Sequence, residues 1–227
     1  MEQLSVSSFL HHGHPFHLFV YDEPRNVPPG TVLQDAAKIL PRSKIFQYKD
    51  HPSVAGFANF FRYKLLLERG QWWVDLDVVC LKPFRFAGDH VFASEHKSTT
   101  DMTEVVTNAI IRAPAGSKAM KLAWQKCRRR NPATLEWGET GPLLLQRVVQ
   151  QLALSAQVHP AKSFCPMPYY LFFDAITPGR PWDFHRETFA IHLWNEIWRR
   201  NKFDKDGTYS RICLYEELKT RYLSCLR

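Results

Sequence analysis

Apolar residues along the chain fall into short runs divided by polar, proline-rich and glycine-rich stretches, and the spacing within each run predicts an element. Residues 2–10 suit a helix, with Gly13 after His11 and His12 at its end. The run FHLFVY at 16–21 predicts a buried strand closed by the turn-forming DEPRNVPPG. Thr31 caps an expected short helix through Leu40, which Pro41 ends, and 44–48 predicts another short strand. In 54–69 the apolar positions are too many for a single stripe, so this helix is expected to be largely buried and to stop at Gly70. A strand at 72–81, WWVDLDVVCL, follows almost at once, then strands at 89–94 and 105–112. Helices are expected at 117–130 and from the Gly141-Pro142 pair onward, an ordered aromatic loop at 164–173, a last strand at 189–194 and a mixed-charge helix at 209–226. With no internal repeat and no flexible linker, residues 1–227 are expected to form one α/β domain, strands alternating with helices.

Polar residues inside these apolar runs are the candidate chemistry. In an extended strand Trp73, Asp75 and Asp77 share one side, while Trp72, Val74, Leu76 and Val78 share the other. Two carboxylates so close repel, and apolar flanks solvate them poorly, so a cation is the natural partner. Oxygen ligands favour magnesium, manganese or calcium, and such ions complete their shell with water and substrate phosphate, which points to a diphosphate ligand. An Asp-x-Asp pair by itself is also common in solvated turns. Asn59 and Arg62 share a face of the buried helix; Arg62 wants an anion there, either an aspartate of the next strand or a ligand phosphate, unless that face meets solvent. Asn108 interrupts a strand, where its amide serves a sugar hydroxyl or satisfies backbone at a bulge. Gly141-Pro142 is ordinary helix punctuation or a ligand-facing amide cluster, and His192 is a satisfied core histidine or a metal or phosphate ligand.

Composition narrows the choice. The chain has 227 residues, 45% of them hydrophobic and 14% aromatic, enough for one good-sized core. A net charge of +8 points to anionic partners. Neither zinc-finger spacing nor an RNA-binding aromatic motif is present, so nucleic acid is not expected as a partner. The five scattered cysteines, Cys80, Cys127, Cys165, Cys213 and Cys225, read as free thiols. No membrane-span-length run and no signal-peptide pattern is seen, so a cytoplasmic location is expected. His11, His12, His14 and His17 project in different directions from a helix end, a turn and a strand, so no metal role is expected of them. Lys118, Lys121, Lys126, Arg128, Arg129 and Arg130 are read first as a solvated basic face and second as a contact for anionic lipid or polymer.

FANFFRYKLLLERGQWWVDLDVVCLKPF resembles the Asp-x-Asp sugar-binding segment of glycosyltransferases of the Och1-like mannosyltransferase and capsular-polysaccharide group, with kinship to α-1,4-galactosyltransferases. SFLHHGHPFHLFVYD, TNAIIRAPAGS, ETGPLLL and AIHLWNEIW agree in order, so the likeness spans nearly the whole chain. It implies a GT-A-like fold with a central mixed sheet flanked by helices, a Mn2+ or Mg2+ ion, and transfer of a hexose with retention from a nucleoside diphosphate sugar to a glycan, glycolipid or other hydroxyl acceptor. Asp75 and Asp77 take the Asp-x-Asp positions, with Asp77 the direct metal ligand; Arg62 takes the helix arginine near the diphosphate or sugar, and His192 completes the metal or phosphate environment. Asn108, Gly141 and Pro142 would line the sugar and acceptor pocket, and peripheral contact with an anionic membrane is an accompanying expectation. Asn59 stands where the family often has a carboxylate for the donor sugar, and Gly70-Gln71 where it often has two glycines. Met1 falls where the helix after the family's first, nucleotide-holding strand begins, so the expectation is either that this strand lies upstream of Met1 or that the base is held differently. These departures support an alternative, a catalytically impaired binder of sugar nucleotide or polysaccharide. A third reading, two-metal phosphoryl transfer, needs further carboxylates, for which Glu68, Glu95 and Asp101 are the neighbouring candidates.

Overall fold

The computed structural model describes residues 1–49 and 52–224; Cys225 and the end of the expected C-terminal helix lie outside them. The elements begin with α1 (Glu2–His11), β1 (Phe16–Val20), β2 (Thr31–Asp35), α2 (Ala55–Arg69), β3 (Gln71–Val74) and β4 (Val78–Cys80). They continue with β5 (Val91–His96), β6 (Glu104–Ala113), α3 (Lys118–Cys127), α4 (Pro142–Gln151) and β7 (Val158–His159). The chain closes with α5 (Ala161–Phe164), β8 (Ala190–His192), α6 (Asn195–Arg200) and α7 (Leu214–Leu223).

The fold is mixed α/β around a central mixed sheet of order β3-β6-β5-β7, in which only the β5–β7 pair is parallel. The strands divide their side chains between two cores with a period of two, broken in β6 where a bulge puts Ala109 and Ile110 on the same side. Trp72, Val74, Val91, Ala93, Ala109 and Ile110 face a core shared with α1, α7, β4 and β8. Trp73, Phe92, Val106 and Ile111 face the other, built by α2, α3 and α4. Helices therefore flank the sheet on both sides. No helix of the described residues is long and apolar enough to cross a membrane.

Several expected elements changed. The run 16–21 is a strand only to Val20 and is mostly half-buried, because among the described residues its one sheet partner is β2. Residues 31–40 are not a helix: Thr31–Asp35 pairs in parallel with β1, and the Asp35 carboxylate then accepts the Ala37 N–H at 2.8 Å to start a single 3-10 turn. The β-branched Thr31 and Val32 suit that pairing better than a helix. Residues 44–48 form no strand; a 3-10 turn at Arg42–Lys44 is followed by irregular chain whose Phe46 and buried Tyr48 close over Gly56 of α2. Their alternation reflects packing, not a ladder. The expected strand at 72–81 breaks at its aspartates into β3 and β4, which belong to different sheets.

Gly70 makes the abrupt passage from α2 to β3 possible. It has φ 67°, and a Cβ there would lie 2.4 Å from the Ala115 nitrogen.

Candidate metal and donor site

The break between β3 and β4 is a tight turn in which the Asp75 carbonyl accepts the Val78 N–H at 3.1 Å. It replaces a continued strand because β3 pairs with β6 as far as Val74, whereas Val78–Cys80 pairs antiparallel with β8. Asp75 and Asp77 therefore stand at the junction of two sheets, each beside a different partner.

Asp75 faces α2. Arg62, only 6% exposed, places Nη2 3.2 Å from Asp75 Oδ1 and Nη1 3.5 Å from Oδ2, and its guanidinium lies 4.9 Å from the Trp73 ring centre. The Trp73 indole N–H donates to Asp75 Oδ1 at 2.6 Å. Arg62 also donates to the Asn108 carbonyl. That carbonyl is free because β6 bulges: Phe92 pairs with Ile111 and Ser94 with Val106, so the residues around Asn108 have no regular partner on β5. The Asn108 amide donates to Asn59 Oδ1 at 2.7 Å, and Asn59 Nδ2 reaches Thr140 Oγ1 at 3.4 Å. Gly141 completes this layer; a Cβ on it would meet Asn59 Nδ2 at 3.2 Å and Asn108 Nδ2 at 3.4 Å.

Asp77 faces β8. The register Val78↔His192 brings the imidazole to it, with Nε2 3.2 Å from Asp77 Oδ1. The Asn195 N–H donates to Asp77 Oδ2 at 2.9 Å, and the Leu193 N–H to the Asp77 carbonyl at 2.8 Å. The His192 ring lies against Trp194, centroids 3.8 Å apart. Burial resists ionisation of Asp77, but the His192 charge and the hydrogen bonds outweigh it and hold this carboxyl below its ordinary range. Burial likewise opposes the His192 cation, yet Asp77 raises it well above its ordinary value. At Asp75 burial wins: the carboxyl is pushed up despite Arg62, with repulsion from Asp77 adding to the effect.

The donor atoms of Asp75, Asp77 and His192 lie within 4.8 Å of one another. The set fits a divalent cation: it offers carboxylate oxygens and an imidazole, a combination manganese accepts. The repulsion that raises Asp75 is what a dication would relieve. His192 Nδ1 is buried and makes no hydrogen bond among the described residues, with the buried Cys165 thiol its polar neighbour.

No family model matches the chain, and no curated protein does. Among solved structures, a PaToxG glycosyltransferase superposes with a TM-score of 0.44 at 14% identity, over 66% of this chain and 62% of that one. The match thus takes in less than two thirds of the neighbour's length.

The residues singled out in the sequence divide into two arms. Arg62, Asp75, Asn59, Asn108 and Gly141 form one connected layer, and Asp77 with His192 forms the other. Pro142 opens α4 and makes none of these contacts. Trp73, Thr140 and Asn195 contact the cluster without having been expected there; Trp73 had a signal, since alternation put it on the face of the aspartates. Glu68 and Asp101 pair with Lys64 and Lys97, outside the cluster. Glu95 on β5 is within electrostatic reach of His192, with one carboxylate oxygen buried and unpartnered among the described residues.

Proposed function

We propose that the protein is a metal-dependent glycosyltransferase of GT-A-like architecture that moves a hexose from a nucleoside diphosphate sugar to a hydroxyl of a glycan, glycolipid or other acceptor, with retention. The observation that carries this reading is the convergence of Asp75, Asp77 and His192 within 4.8 Å beside a buried arginine. Asp75, Asp77 and His192 would hold Mn2+ or Mg2+, which would supply a Lewis acid for the departing diphosphate. Asp77 is held in its ionised form by Asn195 and His192, ready to ligate. Arg62 keeps Asp75 turned toward the site and adds positive charge where a diphosphate would leave. Asn108 and Asn59, next to Gly141, form the floor on which a sugar hydroxyl would find amide partners. The residues present suggest no protein nucleophile, and none is assigned. Titration of manganese with a series of UDP- and GDP-sugars, read by thermal shift and by donor hydrolysis, tests the proposal. Absence of metal-dependent donor binding or turnover, or an Asp77→Ala variant as active as the wild type, overturns it.

One observation favours a second reading, a donor-binding protein without turnover. Both ends of the Asn59 amide are engaged by Asn108 and Thr140, where the family resemblance sets a carboxylate toward the sugar. This reading expects metal-dependent donor binding with neither hydrolysis nor transfer.

A further inference from the structure

On the far side of the loop that carries Thr140 and Gly141, the C-terminal end of α3 faces α4 across a hollow of about 270 Å³. Four cations line it, Lys126, Arg129, Arg130 and Arg147, against a single carboxylate, Glu139. Glu139 is spent on Arg130, whose Nε lies 3.0 Å from it. Among the described residues Lys126, Arg129 and Arg147 form no ion pair. Arg129, Arg130, Glu139 and Arg147 also line a second hollow of about 540 Å³, which adds a further carboxylate, Glu136, together with Trp137 and the exposed Leu143, and Arg200 stacks over the Trp137 ring at 4.3 Å.

A helix C-terminus stabilises nearby cations, which explains Lys126, Arg129 and Arg130. It does not explain Arg147, which lies in the middle of α4 and converges on the same space. Cations gathered in a concave site raise the local potential, and guanidinium groups match phosphate oxygens in shape and charge. A flat solvated face would spread them apart.

We propose that this cleft binds a phosphoryl group, a phosphate or diphosphate carried by a second ligand distinct from the nucleotide sugar. Position suggests the role: Thr140 lines the cleft and also accepts the Asn59 hydrogen bond, so anion cleft and sugar floor share one loop. A phosphorylated acceptor anchored there would have its remainder free to reach round to the donor. That assignment to the acceptor rests on the transferase reading; the anion site itself does not.

Calorimetric titration with inorganic pyrophosphate, in EDTA to keep the metal cluster empty, tests the proposal. The wild type and Asp77→Asn are expected to bind alike and saturably, and the double variant Arg129→Ala/Arg147→Ala to bind roughly tenfold or more weakly. Both arginines are exposed, and an unchanged melting temperature confirms that the double variant is folded. No saturable binding, or equal binding by the folded double variant, overturns the site. Sedimentation with phosphatidylcholine vesicles containing phosphatidic acid separates the sources: arginine-dependent sedimentation supports the site with a lipid headgroup as ligand, and pyrophosphate binding without sedimentation supports it with a soluble one. Metal-free pyrophosphate binding alongside failure of every nucleotide sugar would remove the transferase reading and leave the anion site standing.

Discussion

His192 Nε2 lies 3.2 Å from Asp77 Oδ1, a pairing made by the register of two three-residue strands, β4 and β8. Neither residue is fully withdrawn from solvent, with side-chain exposures of 8% and 15%. The pair is thus reachable by an ion that would replace their mutual contact with contacts to itself.

Removing either member should weaken metal binding. Asp77→Asn keeps a hydrogen-bond acceptor for the Asn195 N–H but loses the charge that pairs with His192, so manganese affinity is expected to fall beyond calorimetric detection and the melting temperature near neutral pH is expected to fall with it. His192→Gln, which removes a ligand and not only its support, is expected to lower affinity by about 100-fold, the upper end of the loss seen when supporting residues are removed, or more. A variant that binds manganese as the wild type does would remove that residue from the ligand set.

Arg62 has a structural as well as an electrostatic task. Arg62→Ala would leave Asp75 without its buried counter-charge and the Asn108 carbonyl without its donor, at a cost of about 3 kcal/mol in unfolding free energy. Arg62→Lys restores charge without the planar fork, so chemical denaturation should place it between the two.

The charged cluster also sets a pH dependence. Asp77 is held below its ordinary value, so its contribution to stability is present above about pH 4 and is lost as pH falls through the lowered value. His192 is raised, so its contribution is complete below its ordinary value of 6.5 and is lost as pH rises through the raised one. Asp75 acts in the opposite sense to Asp77: its carboxyl is raised, and stability falls as pH climbs from its ordinary value of 3.8 through the raised one. Metal ligation by His192 requires the neutral ring, so manganese affinity should increase with pH above neutrality. Melting curves in EDTA should fall on the alkaline side and curves in manganese should not; parallel curves would contradict His192 ligation.

Gly141 is set by contact, not by backbone angle. In Gly141→Ala the new methyl would press on Asn59 and Asn108, and a loss of about 1 kcal/mol with weaker sugar-nucleotide binding is expected. Unchanged donor affinity would take the two asparagines out of the sugar floor.

Asn59→Asp separates the two functional readings. The variant keeps an acceptor for Asn108 and gives up donation to Thr140, freeing that end of the side chain toward the site. If the wild type binds donor without turnover, this substitution is expected to raise donor hydrolysis; no change would mean that the amide is not what limits the chemistry.

Local patterning determined much of this molecule. The aromatic and aliphatic surplus of α2 announced its burial, Gly70 marked its end, and the placement of Asp75, Asp77 and Trp73 in one apolar run singled out the site. Those features depend on neighbours in the chain, which is why they could be read there. Register, bulge and strand exchange were decided only in three dimensions. TVLQD became a strand because β1 offered it an edge, and WWVDLDVVCL was cut in two because its ends pair with different sheets. His192 met Asp77 across more than a hundred residues, and the β6 bulge turned the Asn108 carbonyl toward Arg62. A periodic pattern specifies which face of an element is apolar; it carries no information about which distant edge that element will join, and at this site the joining edges bring the charges together.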